Sequence, residues 1–175
     1  MGAIDIRPLT ASPAVLAALS DILIETVANG GSVSFMHPLA RHDADAFWAS
    51  ALHAAAAGKR IILGAWNGTL LTGTVTLLLD LPPNQPHRAE IAKLMVRLSH
   101  RGRGIAVALM QAAETTAISR GRTLLVLDTA VIGGAAGMYE KLDYTLSGEI
   151  PGYALLPHGG LTGTLLYWKR IGEIR

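Results

Sequence analysis

The residues from Leu94 to Met110 carry the clearest chemistry in the chain. Arg101 and Arg103 alternate with Gly102 and Gly104, and no acidic residue falls anywhere in the stretch. Glycine lets a backbone turn where a Cβ would clash. Ala106, Leu109, Met110 and Ala113 then recur at helical spacing, so a helix starts near Gly104. The first N–H groups of a helix have no intrahelical acceptor, and its dipole adds about half a positive charge at that end. Two guanidinium groups add to this. The loop therefore predicts an anion, a phosphate or diphosphate, seated on the helix N-terminus. Leu94, Met95, Val96 and Leu98 supply the apolar strand that leads into it.

Counting excludes two phosphate-binding motifs. A P-loop ends in Gly-Lys-Ser/Thr, and here Gly104 is followed by Ile105 and Ala106. A dinucleotide fingerprint begun at Gly102 and Gly104 needs Gly or Ala where Val107 stands. What remains, Arg101-Gly-Arg-Gly-Ile-Ala106, fits R/Q-x-x-G-x-G/A. That pattern resembles the diphosphate loop of the GNAT superfamily of acyl-CoA-dependent N-acetyltransferases. The resemblance implies acetyl-CoA as co-substrate, held by Leu94, Met95, Val96, Arg101, Gly102, Arg103, Gly104, Ile105 and Ala106.

The elements that must position this loop are legible on both sides of it. Ala3 to Arg7 alternates and stops at Pro8, as a short strand does. Ser12-Pro13 reads as an N-cap followed by proline at the first helical position, and Val15, Leu16, Leu19, Ile22, Leu23 and Val27 follow one helical face. Asn29-Gly30-Gly31 ends that helix. A second helix is expected from about Arg41 to Ala57, with Ala46, Phe47, Ala51 and Ala54 on its buried side and Gly58 as the stop. Asn67-Gly68 reads as the turn between strands Arg60–Trp66 and Leu70–Leu79. Three prolines keep Asp80–Arg88 out of the sheet. The loop-bearing strand is expected over Glu90–Leu98, and its helix ends near Arg120-Gly121. Thr123–Asp128 is nearly all apolar, which predicts a strand buried on both faces by parallel pairing. Gly133–Gly137 opens a short helix through Leu142, and Thr145–Leu155 and Leu161–Lys169 form a last pair of strands turned at Pro157–Gly160.

This order, β-α-α-β-β-β-α-β-α-β-β, is the one the GNAT fold has: a mixed, mostly antiparallel α/β sheet with a central parallel strand–helix–strand crossover and flanking helices. Met138-Tyr-Glu-Lys-Leu-Asp-Tyr144 is similar to the Y-E-K-x-G-F/Y segment after the fifth strand of that superfamily. Four further pieces resemble the tabtoxin-resistance type within it: Gly30–Met36, Ala89–Val96, Leu127–Thr129 and Gly148–Tyr153. They imply acetylation of a small-molecule amine, such as a β-lactam dipeptide toxin. Asp143 stands where the common segment has Gly, and Ile132 where many relatives carry an Asn that contacts the cofactor arm.

Acetyl transfer to an amine makes three demands. An alkyl amine has a pKa near 10.4, so about a thousandth or less is neutral at pH 7, and a base must take its proton. Charge on the thioester oxygen needs a donor already aimed at it. The leaving thiolate benefits from a proton. The resemblance implies that the loop-bearing strand splays from its parallel neighbour, so a backbone N–H around Met95–Val96 is the expected oxyanion donor. Tyr139 is the expected proton donor to the thiolate, though a tyrosine there can also simply pack its ring. Glu90 and Asp128 are the candidate bases, on neighbouring strands where both can face one cleft; which of them, or a water, acts as base stays open. The pocket for the acceptor is expected between the Gly30–His37 loop, the Asp80–Arg88 loop and the final hairpin near Tyr153. A non-catalytic acyl-CoA sensor would share the loop but has no need of these three side chains together. Within the fold, a polyamine, amino-acid, antibiotic or protein N-terminal acetyltransferase stays open.

Composition sets the remaining bounds. A chain of 175 residues, half of them apolar, suits a single domain over residues 1–175 with a substantial core. A net charge of +2 is too small to point to nucleic acid or an anionic membrane. Without cysteine there is no disulfide, thiolate metal site or cysteine nucleophile. His42 and His53 are eleven apart with no carboxylate at ligand spacing, so both are expected to face solvent, and His37 to be a packing or surface residue. The start, Met1–Pro8, lacks the apolar run of a signal peptide, and the myristoylation pattern fails at Ile6. No stretch approaches the ~20 apolar residues that span a bilayer. A cytoplasmic protein is expected, with a small-molecule amine as partner, no nucleic acid, membrane or metal, and a homodimer contact through the apolar last strands.

Overall fold

Ser12 caps the first helix as its place before Pro13 predicts, its Oγ accepting from the Val15 N–H at 3.2 Å. From there the chain builds two helical layers on one sheet. The structure, a computed structural model, describes residues 4–172. Its elements are β1 (Asp5–Pro8), α1 (Pro13–Ala28), α2 (Arg41–Ala56), β2 (Arg60–Asn67), β3 (Leu70–Leu78), β4 (Arg88–Val96), α3 (Ile105–Ser119), β5 (Leu124–Ala130), α4 (Ala136–Lys141), β6 (Thr145–Leu155) and β7 (Leu161–Arg170). A single 3₁₀ turn, Leu98–His100, joins β4 to the glycine loop. The seven strands lie in the order β1-β2-β3-β4-β5-β7-β6, and only β4 and β5 pair in parallel. This is the mixed α/β sheet that the resemblance implies, with its parallel crossover in the middle.

One layer, α1 and α2, packs Leu19, Ile22, Leu23, Val27, Trp48 and Leu52 against Ile62, Leu71 and Met95. The other, α3 and α4, packs Ile105, Leu109, Met110, Ala113 and Tyr139 against Val75, Ala89, Ile91, Leu125, Leu127 and Tyr167. Each fully buried leucine contributes about 1.5–3 kcal/mol relative to exposure.

Several boundaries differ from the sequence reading, each for a local reason. Ala3, the predicted start of the first strand, lies outside the described residues, as do Met1 and Gly2. The buried side of α2 is Ala44, Trp48, Ala51 and Leu52; Ala46 is exposed. In a helix this rich in alanine the apolar stripe is set by Trp48. The β2–β3 turn is Gly68-Thr69 rather than Asn67-Gly68, since Asn67 pairs with Leu70. Only Gly68 of those two has positive φ, as in a Gly-X hairpin loop. β5 is fully buried on one face alone, at Leu125 and Leu127, because the α1–α2 layer does not extend over its other face.

β4 itself starts two residues earlier than expected and ends at Val96, leaving Leu98 in the 3₁₀ turn, 38% exposed. Ala89 and Ile91 bury on the α3 side, and so does Val96, while Met95 buries on the α1–α2 side. Strict alternation would put 89, 91 and 95 together. One extra residue reverses the parity: Thr74 pairs with Met95 and Thr76 with Ala92. Lys93, at φ +53, sits in this bulge.

Candidate active site

Three residues of β4 pair with β5: Arg88 with Leu124, Ala89 with Leu125 and Glu90 with Val126. Beyond them the two strands part, so Ile91 to Val96 have no partner on that side. Into this gap opens a cavity of about 680 Å³. Its walls come from both layers: the end of α1 and the loop after it on one side, the N-terminus of α3 and α4 on the other. The cavity thus passes through the sheet where the strands splay.

At its α3 end lies the anion cradle the sequence predicts. Gly102 and Gly104 have φ +72 and +77, and no heavy atom lies within 4 Å of where a Cβ on either would sit. Among the described residues, the N–H groups from Gly102 to Val107 donate to no backbone or side-chain acceptor; the first helical bond runs from Ala108 to Gly104. Six amides are thus available at a helix N-terminus, with the dipole behind them. Arg101 lines the cavity and is oriented by its Nε on the Val96 carbonyl at 3.3 Å. Of the nine residues expected to hold the co-substrate, only Arg103 is not in the wall; its Nη2 donates instead to the Ser99 carbonyl at 3.0 Å, closing the turn. The donor set suits a diphosphate, with Leu94–Val96 beside the gap where an acyl arm would lie.

Asp128 and Tyr139 face the same cavity. Asp128 sits on the face of β5 opposite Leu127, and its Oδ2 accepts from the Thr164 hydroxyl at 2.9 Å. Tyr139, on α4, is 6% exposed, with its ring packed against Tyr144 and Tyr167 at 5.9 Å between centroids. Burial, and secondly the charge of Asp128, push its phenol up to about 12. It therefore stays a neutral donor throughout the pH range in which enzymes work. Glu90 is not brought to the cavity wall. It lies opposite Val126, on the same face of the sheet as Asp128 but two residues nearer the strand start, and its Oε1 accepts from Arg88 at 2.6 Å.

The family comparison completes this picture. The model of the acetyltransferase (GNAT) family matches residues 24–144. The chain belongs to the GNAT acetyltransferase family. The fold of this acetyltransferase is shared with an N-acetyltransferase from Staphylococcus aureus Mu50 at 19% identity and a TM-score of 0.81, covering 98% of this chain and 100% of that one. The yncA protein of Salmonella typhimurium, solved with its cofactor acetyl-CoA, aligns at 17% identity and a TM-score of 0.78 over 99% and 96% of the two chains. A ribosomal-protein-alanine N-acetyltransferase from Brucella melitensis aligns at 20% identity and 0.79 over 95% and 99%.

Some expectations about the site are corrected. The Asp80–Arg88 loop contributes nothing to the cavity wall before Ile91; it is held elsewhere, by Arg122 on the Leu79 and Pro86 carbonyls. The Gly30–His37 loop does line the cavity, from Gly30 to Ser34, and the final hairpin contributes Tyr153–Leu155 and Thr162–Thr164. His42 and His53 are exposed, and His37 stacks on His158 at 4.5 Å between centroids. No group of three metal-ligating side chains occurs among the described residues. The two departures from the family pattern have definite places. Asp143 has φ +62, so the turn keeps the left-handed geometry that glycine serves. Ile132 lines the cavity and is 58% exposed. Nearby, a Cβ on Gly134 would come within 2.0 Å of the Ala130 carbonyl, so only glycine fits that bend.

The sequence reading named neither Lys93 nor Thr164 as a site residue, and reached Ser34 only through its loop. Residue type gave no signal of the bulge: Met95 and Val96 bury on opposite faces, as neighbours do in any strand covered on both sides.

Proposed function

We propose that residues 1–175 act as one acyl-CoA-dependent N-acetyltransferase domain. It moves the acetyl group of acetyl-CoA to a primary amine of a small molecule by direct attack in a ternary complex. The observation that carries this reading is the cavity at the splayed strands, whose one wall holds the free amides and Arg101 and whose lining also includes Asp128 and Tyr139.

In this reading the diphosphate rests on the amides of Gly102–Ala106. The acyl carbonyl lies against an N–H of Met95–Val96, which stabilises the negative charge formed on attack. Asp128 takes the amine proton directly or through a water, the new C–N bond forms, and the C–S bond breaks. Tyr139 gives its proton to the departing sulfur and recovers one from solvent. Glu90, paired with Arg88 on the same face, acts with Asp128 in drawing the ammonium form into the site. A toxin or antibiotic such as a β-lactam dipeptide remains the finer part of the proposal, supported by the four segments that resemble the tabtoxin-resistance type. A homodimer through β6 and β7 is supported by exposed Leu146, Ile150, Tyr153, Leu155 and Leu161. A cytoplasmic place of work rests on the sequence reading alone.

Thiol release from acetyl-CoA across a panel of amines tests the activity. Release with any amine supports the enzyme. Tight acetyl-CoA binding with no release from any amine identifies a sensor instead.

A further inference from the structure

The mechanism above leaves one charged group of the cavity unused. Lys93 projects from the β4 bulge to the α1–α2 side of the sheet, where its Nζ donates to Ser34 Oγ at 3.2 Å and lies 5.6 Å from the Phe47 ring centroid. It is half-buried, and among the described residues no carboxylate lies within 4.0 Å of it. Its counter-charge is Asp128, which acts on it from farther than ion-pair distance, so a half-buried ammonium placed so gains from an anion that arrives beside it.

The backbone underlines the point. Only three non-glycine residues among those described have positive φ: Ser34, Lys93 and Asp143. The first two touch each other at the cavity wall. Residues held in this region cluster at active sites and ligand clamps. Across the gap, on β5, Asp128 is held by Thr164 through Oδ2 alone and presents its other oxygen without a partner among the described residues. The acceptor mouth therefore offers a cation on one wall and an anion on the other.

Resting on the acetyltransferase reading, we propose that the acceptor carries a carboxylate beside its amine, so that Lys93 and Ser34 hold the carboxylate while Asp128 receives the ammonium. The substrate class is then a free amino acid or a short peptide with a free carboxyl end. Polyamines and aminoglycosides, which would set a second cation against Lys93, are rejected.

The test uses the full chain with saturating acetyl-CoA. Glycine, β-alanine, γ-aminobutyrate, glycylglycine and alanylalanine are each compared with their own C-terminal carboxamide. The carboxamide amines are less basic, which works against the expected result. At least one acid is expected to exceed its carboxamide about tenfold or more in kcat/KM, the value of a charge-assisted hydrogen bond. In Lys93→Met that ratio falls to within about twofold of one, mainly through KM, and Lys93→Arg restores part of it. Thermal melts of both variants separate this from misfolding, since Lys93→Arg keeps the charge.

Acetyl-CoA calorimetry separates the two readings. If the co-substrate binds but carboxamides react as well as acids, or no panel member reacts, or the preference survives Lys93→Met, the zwitterion proposal is overturned and the acetyltransferase reading stands or falls on other amines. A large loss of acetyl-CoA affinity in Lys93→Met also overturns it, by assigning Lys93 to the co-substrate. If acetyl-CoA does not bind at all, both readings fail.

Discussion

Removing one oxygen atom from Tyr139 isolates its chemistry from its packing. In Tyr139→Phe the ring keeps its contacts with Tyr144 and Tyr167, so the six-residue helix α4 retains its seat on the sheet. Among the described residues the hydroxyl donates to no protein acceptor, and its loss costs little stability. Its absence from the thiolate, however, removes a general acid, worth about 10²-fold or more in kcat, or about 3 kcal/mol of barrier. The assay is thiol release at saturating acetyl-CoA and amine, with the acetyl-CoA Kd measured beside it. A kcat within twofold of wild type would remove Tyr139 from the mechanism; a large rise in Kd would make it a binding residue.

The same substitution has an independent readout in alkali. The folded-state phenol titrates near 12, above the ordinary value near 10, so the folded chain holds this proton more tightly than the unfolded one. Stability is fully present below pH 10 and falls as pH rises through 12, by about 2–3 kcal/mol from this group. Chemical denaturation at pH 9 and pH 11.5 should show the drop in wild type and a smaller one in Tyr139→Phe. Tyr144, raised above its ordinary value chiefly by burial, accounts for a remaining slope. Equal slopes in the two proteins would contradict the burial argument.

Three further outcomes follow from the geometry. Gly104→Ala places a Cβ on a left-handed residue at a cost of about 1–2 kcal/mol, whereas Gly104→Asp adds a negative charge where the diphosphate sits; calorimetry should show acetyl-CoA affinity at least about tenfold weaker in the aspartate variant than in the alanine one, with Arg101→Ala in between. Asp128→Asn should cut amine turnover by about 10²-fold while sparing acetyl-CoA binding, and Glu90→Gln should act in the same direction with a larger share in KM; loss of acetyl-CoA affinity in both would point to a folding or co-substrate role instead. Asp143→Val should melt earlier than Asp143→Gly by the equivalent of about 1–2 kcal/mol, because φ +62 is hard for a β-branched residue.

How much of this was legible in the sequence depends on the range of the interaction. Local signals held: Ser12-Pro13 set the start of α1, Gly30 its end, Gly58 the end of α2, and Gly102 and Gly104 the cradle. The parallel crossover was visible because apolar strands flank a helix of the right length. The α2 face was not, since alanine at nearly every turn gives the pattern no contrast and Trp48 alone decides it. The splay of β4 from β5 is a long-range property that no residue near Ile91 announces; it came from the family resemblance, and the end of pairing at Glu90 bears it out. Glu90 was grouped with Asp128 on strand adjacency. Register puts them on one face, but Arg88, two residues back on the same face, takes the carboxylate. Lys93 escaped notice because a bulge changes where a side chain points without changing any residue type.

The measurement that bears most directly on the central claim is a crystal structure of this chain with acetyl-CoA bound. The diphosphate should rest on the amides of Gly102 to Ala106 beside Arg101, with the thioester carbonyl in the gap against Met95–Val96 and the sulfur within reach of the Tyr139 hydroxyl. A diphosphate found elsewhere, or an acyl group lying outside the parted strands, would contradict the account.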